Sequence, residues 1–188
     1  MEEESIKLKK TILAFENQLI KNIQPLILEK LKAKYKVILV VKTTEDKKFY
    51  LNKYKNCFDQ IIVYVNEFEI LKKNISEKLT EKKAIQFESK LDKSLYRIFL
   101  AERVIGRGYF SSGGFRHPRN RLHYENSHLQ MLKLGVAKLD FWESFFKKEN
   151  IFLAINLPNP GHLIAKFYNV KSKRIIIGKF ENTLAWSS

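Results

Sequence analysis

This sequence predicts an α/β fold: a Rossmann-like, mostly parallel sheet of about four strands covered by helices. Three observations predict it. Short apolar runs rich in β-branched residues recur along the chain, at Val37–Val41, Ile61–Val65, Ile151–Ile155 and Arg174–Ile177. Longer amphipathic segments separate them. Continuous apolar runs are the mark of strands covered on both faces, and helices between them imply parallel crossovers. The third observation is size: 188 residues with 45% hydrophobic content suit one domain with a substantial core.

The elements follow in order. A helix ahead of the first strand is predicted from the spacing of Ile12, Phe15, Leu19, Ile23, Ile27 and Leu31. Thr43 and Thr44 can cap a second helix carrying Phe49, Leu51 and Tyr54. Residues 67–105 read as mostly helical, broken around Asn74–Thr80. Their second half carries Ile85, Leu91, Leu95, Ile98, Phe99 and Val104 on a broad apolar stripe. Another helical region begins at Asn120 or Arg121 and is interrupted at Gly135, with Leu139, Phe141, Trp142, Phe145 and Phe146 inward. Asn159-Pro160-Gly161 opens a last helix through Val170, with proline in the first turn where its missing N–H costs nothing. No repeat or flexible linker divides residues 1–188.

Charge narrows the function. The formal net charge is +15, which suits a polyanionic partner or simply a lysine-rich solvated surface. Lone Cys57 cannot form an internal disulfide, which is compatible with a reducing compartment. The opening Met-Glu-Glu-Glu-Ser is unlike a secretory leader, and no apolar run reaches the length of a membrane span. The expected location is cytoplasmic, with at most peripheral contact to an anionic inner membrane.

One segment breaks the lysine habit. Five of the seven arginines and four of the seven glycines fall in Arg103–Arg121, which contains no lysine, Asp or Glu. Guanidinium offers a rigid fork of donors for phosphate or carboxylate, whereas an ammonium is a hydrated point charge. Gly106, Gly108, Gly113 and Gly114 permit close backbone approach to an anion. Arg103, Arg107, Arg116 and Arg119 are the candidate anion ligands, and Tyr109 and Phe115 could flank a ring. His117 and Glu102 are the candidate acid–base groups. The competing reading is a surface loop whose arginines pair with carboxylates elsewhere.

Standard motifs are absent. Gly106-x-Gly108 follows a helix, and Gly113 is wrongly placed for a dinucleotide fingerprint. No Gly-Lys-Ser/Thr marks a Walker loop. His123 and His128 do not share a helix face, so neither a metal nor any other cofactor is expected. Glu125 adds a titratable neighbour to His123. Asn156-Leu-Pro-Asn-Pro-Gly-His162 is a second candidate site, because it follows a strand's carboxyl end and leads into a helix start.

The run Ala101–Arg121, with Glu102-Arg103, Gly106-Arg107-Gly108-Tyr109 and His117-Pro118-Arg119, resembles a segment of bacterial surface carbohydrate (capsular polysaccharide) biosynthesis proteins. Phe58–Ile62, the Leu139–Trp142 helix and Ile151–Asn156 are similar too. Glu102 replaces an expected Asp, and Asn120 an expected Ser. The resemblance implies the amino-terminal half of a glycosyltransferase of the two-Rossmann-domain kind, incomplete without a second domain or partner chain. It implies a sugar nucleotide or phosphorylated glycan as partner, with the sugar nucleotide usually held by the carboxyl-terminal half and the acceptor received by this one. The carried-over candidates for binding a phosphorylated or acidic carbohydrate are Arg103, Gly106, Arg107, Gly108, Tyr109, His117, Pro118 and Arg119. Two other classes stay open: a non-catalytic nucleic-acid-binding α/β domain, whose affinity would fall steeply with salt, and an interaction module docked on a partner, for which an apolar patch near Trp186 would speak.

Overall fold

The computed structural model describes residues 9–64, 69, 73–95, 98 and 128–175. Five parallel strands form one sheet: β1 (Thr11–Phe15), β2 (Lys36–Val41), β3 (Gln60–Val63), β4 (Ile151–Ile155) and β5 (Lys171–Lys173). Their order is β3-β2-β1-β4-β5, and every neighbouring pair is parallel. The expected α/β Rossmann-like architecture is therefore present, with one strand more than expected among the described residues.

The additional strand is β1, at the centre of the sheet. The sequence reading placed Ile12 and Phe15 in a helix, but a helix from Ile12 to Leu31 would bury Pro25 in its interior, at a cost of about 3 kcal/mol. The chain instead pairs Thr11–Phe15 between β2 and β4 and makes a 3-10 turn at Gln18–Ile20. It then starts α1 (Gln24–Lys32) with Pro25 in the first turn. Of the run expected at Arg174–Ile177, Arg174 and Ile175 lie in no strand and Ile176 and Ile177 lie outside the described residues; the last described strand is Lys171–Lys173.

Side-chain alternation divides the core between two layers. Leu13, Phe15, Ile38 and Val40 face α3 (Glu77–Leu91), α4 (His128–Lys148) and α5 (Asn159–Phe167). Ile12, Ala14, Val37, Leu39 and Val41 face α1 and α2 (Thr44–Tyr54). Trp142 anchors the first layer, with Phe15, Tyr64 and Phe141 rings 5.1–5.8 Å from its own. Gly161 lets α5 press onto this indole, since a Cβ there would stand 2.8 Å from Trp142 Cδ2.

Helix ends follow local chemistry. Thr43 Oγ1 accepts from the Asp46 N–H, and Ser76 Oγ accepts from the Leu79 N–H, so the expected cap and the break before α3 are both found. The apolar stripe beyond the break is only partly right. Ile85 is exposed, the buried face being Thr80, Ala84 and Phe87. Asp92, at φ 48°, ends α3 early; Leu95 and Ile98 are buried, and Phe99 and Val104 lie outside the described residues. In α2 the buried residue is Tyr50, and Leu51 points outward. Gly135 does not interrupt α4, which runs unbroken through it with Leu139, Phe141, Trp142, Phe145 and Phe146 buried as expected.

The amino ends of the strands are stapled to α4. Asn150 O accepts from the Thr11 N–H at 2.8 Å, and Glu149 takes Lys36 at 2.6 Å and the Thr11 hydroxyl at 3.3 Å. Asp59 Oδ2 accepts from the Val37 N–H at 2.7 Å. Among the described residues, no helix is long and apolar enough to cross a membrane.

Candidate functional site

In an open parallel sheet the strand order reverses at one place, and the crevice beyond the carboxyl ends there is the usual ligand position. Here β1 leads outward to β2 and β3 on one side, while β4 and β5 lie on the other, so the reversal falls between β1 and β4. The residues after these strands, Glu16-Asn17 and Asn156–Asn159, line it. The Asn156–His162 turn expected as a second site lies at this point, with α5 starting at Asn159. No side chain among the described residues caps that helix start. Pro160 has no N–H and the His162 N–H donates to Pro158 O, which leaves the Asn159 and Gly161 N–H groups for an anion or solvent.

Glu16 is the most unusual residue of the edge. It is 3% exposed, and its backbone N–H donates to Val40 O at 2.9 Å. Oε1 accepts from the Lys42 N–H at 2.8 Å. Oε2 is buried and has no hydrogen-bond partner among the described residues. Burial pushes the carboxyl above its ordinary pKa, and the Asp46 charge adds to this; the Lys42 N–H, the Gln18 amide and the Lys42 charge pull the other way. The Tyr50 hydroxyl is also buried without a partner among the described residues, its pKa raised by burial and then by the charges of Glu16 and Asp46.

Two asparagines flank the reversal point. Asn17 accepts from the Leu19 N–H, and its own N–H donates to Gln24 Oε1 at 3.0 Å, while Gln24 Nε2 donates to Phe15 O at 2.9 Å. The fully buried Gln24 thus seals the end of β1. Asn156 adopts a left-handed backbone at φ 58°, a conformation asparagine tolerates better than most residues. Its Nδ2 is buried and unpartnered among the described residues.

The chain beyond β5 closes over these asparagines. The Ile175 N–H donates to Asn156 Oδ1 at 2.8 Å, and Ile175 O accepts from Asn17 Nδ2 at 3.4 Å. Arg174–Ile175 therefore straps the two sides of the reversal point together. Among the described residues, Glu16 Oε2 is left as an acceptor, Asn156 Nδ2 as a donor and the Tyr50 hydroxyl as either. That complement suits a ligand rich in hydroxyls.

The predicted site residues Glu102, Arg103, Gly106, Arg107, Gly108, Tyr109, Gly113, Gly114, Arg116, His117 and Arg119 lie outside the described residues, as do Phe115, Pro118, His123, Glu125 and Trp186. The chain on either side of residues 99–127 is described. Asn159 Nδ2, in the first turn of α5, donates to Ile98 O at 3.5 Å. The far end of α4 meets the amino end of β1, and Trp142 packs on Phe15, the last residue of β1.

Sequence reasoning missed Glu16, Asn17, Gln24 and Tyr50. Pro25 was the available signal, because it forbids one helix across Ile12–Leu31 and leaves Ile12–Phe15 as an apolar run ending in Glu-Asn. Two hollows lie elsewhere. One of about 280 Å³ is lined by His162, Lys166, Asn169 and Lys171, with His162 Nδ1 3.0 Å from Ser172 Oγ. Another, of about 220 Å³ between α3 and α4, holds Lys83, Lys90, Asp140, Glu143 and Lys147 in mutual ion pairs. Comparison with protein-family models, curated proteins and solved structures finds no match to this chain.

Proposed function

We propose that this chain is a sugar-transfer domain of surface polysaccharide biosynthesis, which binds a sugar nucleotide or phosphorylated glycan at the carboxyl edge of its sheet. The observation that carries the reading is Glu16: a buried carboxyl at the carboxyl edge of the sheet, beside the ends of β1 and β2, with raised pKa and an oxygen left without a partner among the described residues. Such a group costs stability and is retained most readily where a ligand uses it. A sugar hydroxyl supplies the donor that Oε2 lacks. The uncapped start of α5 and the arginines of residues 103–121 supply the countercharge for phosphate.

In a complete enzyme the acceptor oxygen bonds the anomeric carbon as that carbon's bond to the phosphate oxygen breaks. The acceptor proton passes to a carboxylate or imidazole, for which Glu16, Glu102 and His117 are candidates, and the arginines neutralise the departing diphosphate. Partnership with a second domain or chain belongs to this proposal.

Calorimetric titration with a panel of nucleotide sugars, inorganic diphosphate and a single-stranded oligonucleotide, at two salt concentrations, tests it. Arg107→Lys combined with Arg119→Lys is expected to weaken nucleotide-sugar binding about tenfold or more. Glu16→Gln is expected to weaken nucleotide sugar but not diphosphate. Tighter binding of the oligonucleotide than of any nucleotide sugar, falling steeply with salt, would establish the nucleic-acid reading instead.

A further inference from the structure

Three of the residues expected in the inner stripe of the first helix, Leu19, Ile23 and Ile27, lie on the outside of the molecule. Leu19 is 94% exposed, Ile23 45%, Leu26 51% and Ile27 37%. Leu19, Ile23 and Ile27 follow at intervals of four, and Leu26 lies beside them on the outer face of α1. The opposite face of the helix, with Gln24, Pro25 and Leu28, is the buried one. Four large aliphatic side chains exposed within nine residues form a patch, whereas scattered single ones need no explanation.

The patch is rimmed by cations. Lys30 shares its face and Lys34 follows it, both exposed and without an ion pair among the described residues. Lys53 of α2 reaches Asn22 Oδ1 at 3.1 Å and so stands beside Ile23. Lys21 is neutralised by Asp46 at 2.8 Å and adds nothing to the balance. Glu29 is the one carboxylate in α1. An apolar tip ringed by lysines, on a chain of net charge +15, is complementary to an anionic lipid surface, where aliphatic side chains enter the headgroup boundary and ammonium groups meet phosphates. A second copy fits poorly, because pairing this face with itself would bring Lys30, Lys34 and Lys53 against their equivalents.

We propose that the outer face of the Gln18–Ile20 turn and α1 docks on an anionic membrane surface, with Leu19, Ile23, Leu26 and Ile27 entering the interface. The contact lies in the membrane plane and does not cross it. It is independent of the ligand reading above, since vesicle binding requires no sugar nucleotide.

Co-sedimentation of the full chain with vesicles of phosphatidylcholine alone, and of three parts phosphatidylcholine to one part phosphatidylglycerol, tests the proposal. Binding is expected to the anionic vesicles and to weaken severalfold between about 0.1 M and 0.5 M salt. The double variant Leu19→Gln, Leu26→Gln should reduce the partition coefficient by about tenfold or more, with an unchanged melting temperature because both side chains are exposed. Lys30→Glu with Lys53→Glu should lose the preference for anionic lipid. Unchanged binding of the Leu19→Gln, Leu26→Gln variant would overturn the proposal in favour of diffuse basic charge. Absence of vesicle binding by the natural chain would overturn it as well, and a dimer in light scattering that this variant abolishes would identify a second copy as the occupant.

Discussion

Glu16 and Glu143 are both buried glutamates, 3% and 5% exposed, in opposite circumstances. Glu143 lies in the helical layer, where Lys90, Lys147 and the Tyr168 hydroxyl all donate to it. Burial alone would raise its pKa, but the hydrogen bonds from Lys147 and Lys90 hold it below its ordinary value, and Lys147 is raised in return. Glu16 has one backbone N–H on one oxygen and no partner for the other among the described residues. The first carboxylate belongs to the scaffold. The second is a cost the fold carries at the carboxyl edge of its sheet.

The largest effect is expected on the scaffold side. Glu143→Gln removes the countercharge of two lysines and should cost about 2–3 kcal/mol in urea denaturation at pH 7; partial exposure of Lys147 keeps it below a full buried-charge penalty. Gly161→Ala drives a methyl against Trp142 and should cost about 1–3 kcal/mol, read as a lower melting temperature. Neutral change in either would break the comparison, since both depend on a packed and paired helical layer.

Asp46 sharpens it from within the carboxyl edge. Burial opposes its ionisation, yet Lys21, the Thr43 hydroxyl and the Gln18 amide hold its pKa at about 2 against an ordinary 3.8. A carboxyl lowered by folding contributes stability that is complete above its unfolded pKa and lost as pH falls toward the folded one. Asp46→Asn should cost about 1–2 kcal/mol at pH 7, with the difference from the natural chain shrinking between pH 4 and about pH 2. Tyr50→Phe removes a buried hydroxyl without a described partner and should change stability by no more than about 0.5 kcal/mol.

How much of this was legible in the sequence depends on what each residue was asked to reveal. Val37–Val41 and Ile151–Ile155 announced themselves, because a strand covered on both faces is apolar at every position. Thr11–Phe15 did not, since Phe15, Leu19, Ile23 and Ile27 recur every four residues and mimic a buried helical stripe. In the fold that same spacing puts Leu19, Ile23 and Ile27 on the outside of α1, so periodicity located a face without saying which way it pointed. The Asn156–His162 turn was recognisable from its place after a strand. Glu16 was hidden because its significance depends on strand order, which no local pattern encodes. The arginine segment was the plainest signal of all, yet it lies outside the described residues.

The central claim is that Glu16 is held for a ligand at the expense of stability. Folding raises its pKa, so any stability it confers is present at low pH and is lost as pH rises through the folded pKa. Glutamine keeps an acceptor for the Lys42 N–H and carries no charge. Urea denaturation of Glu16→Gln beside the natural chain should therefore show a gain of about 1 kcal/mol at pH 7 that vanishes near pH 4. A loss of comparable size at pH 7, like that expected for Glu143→Gln, would show that Glu16 is one more structural ion and contradict the account.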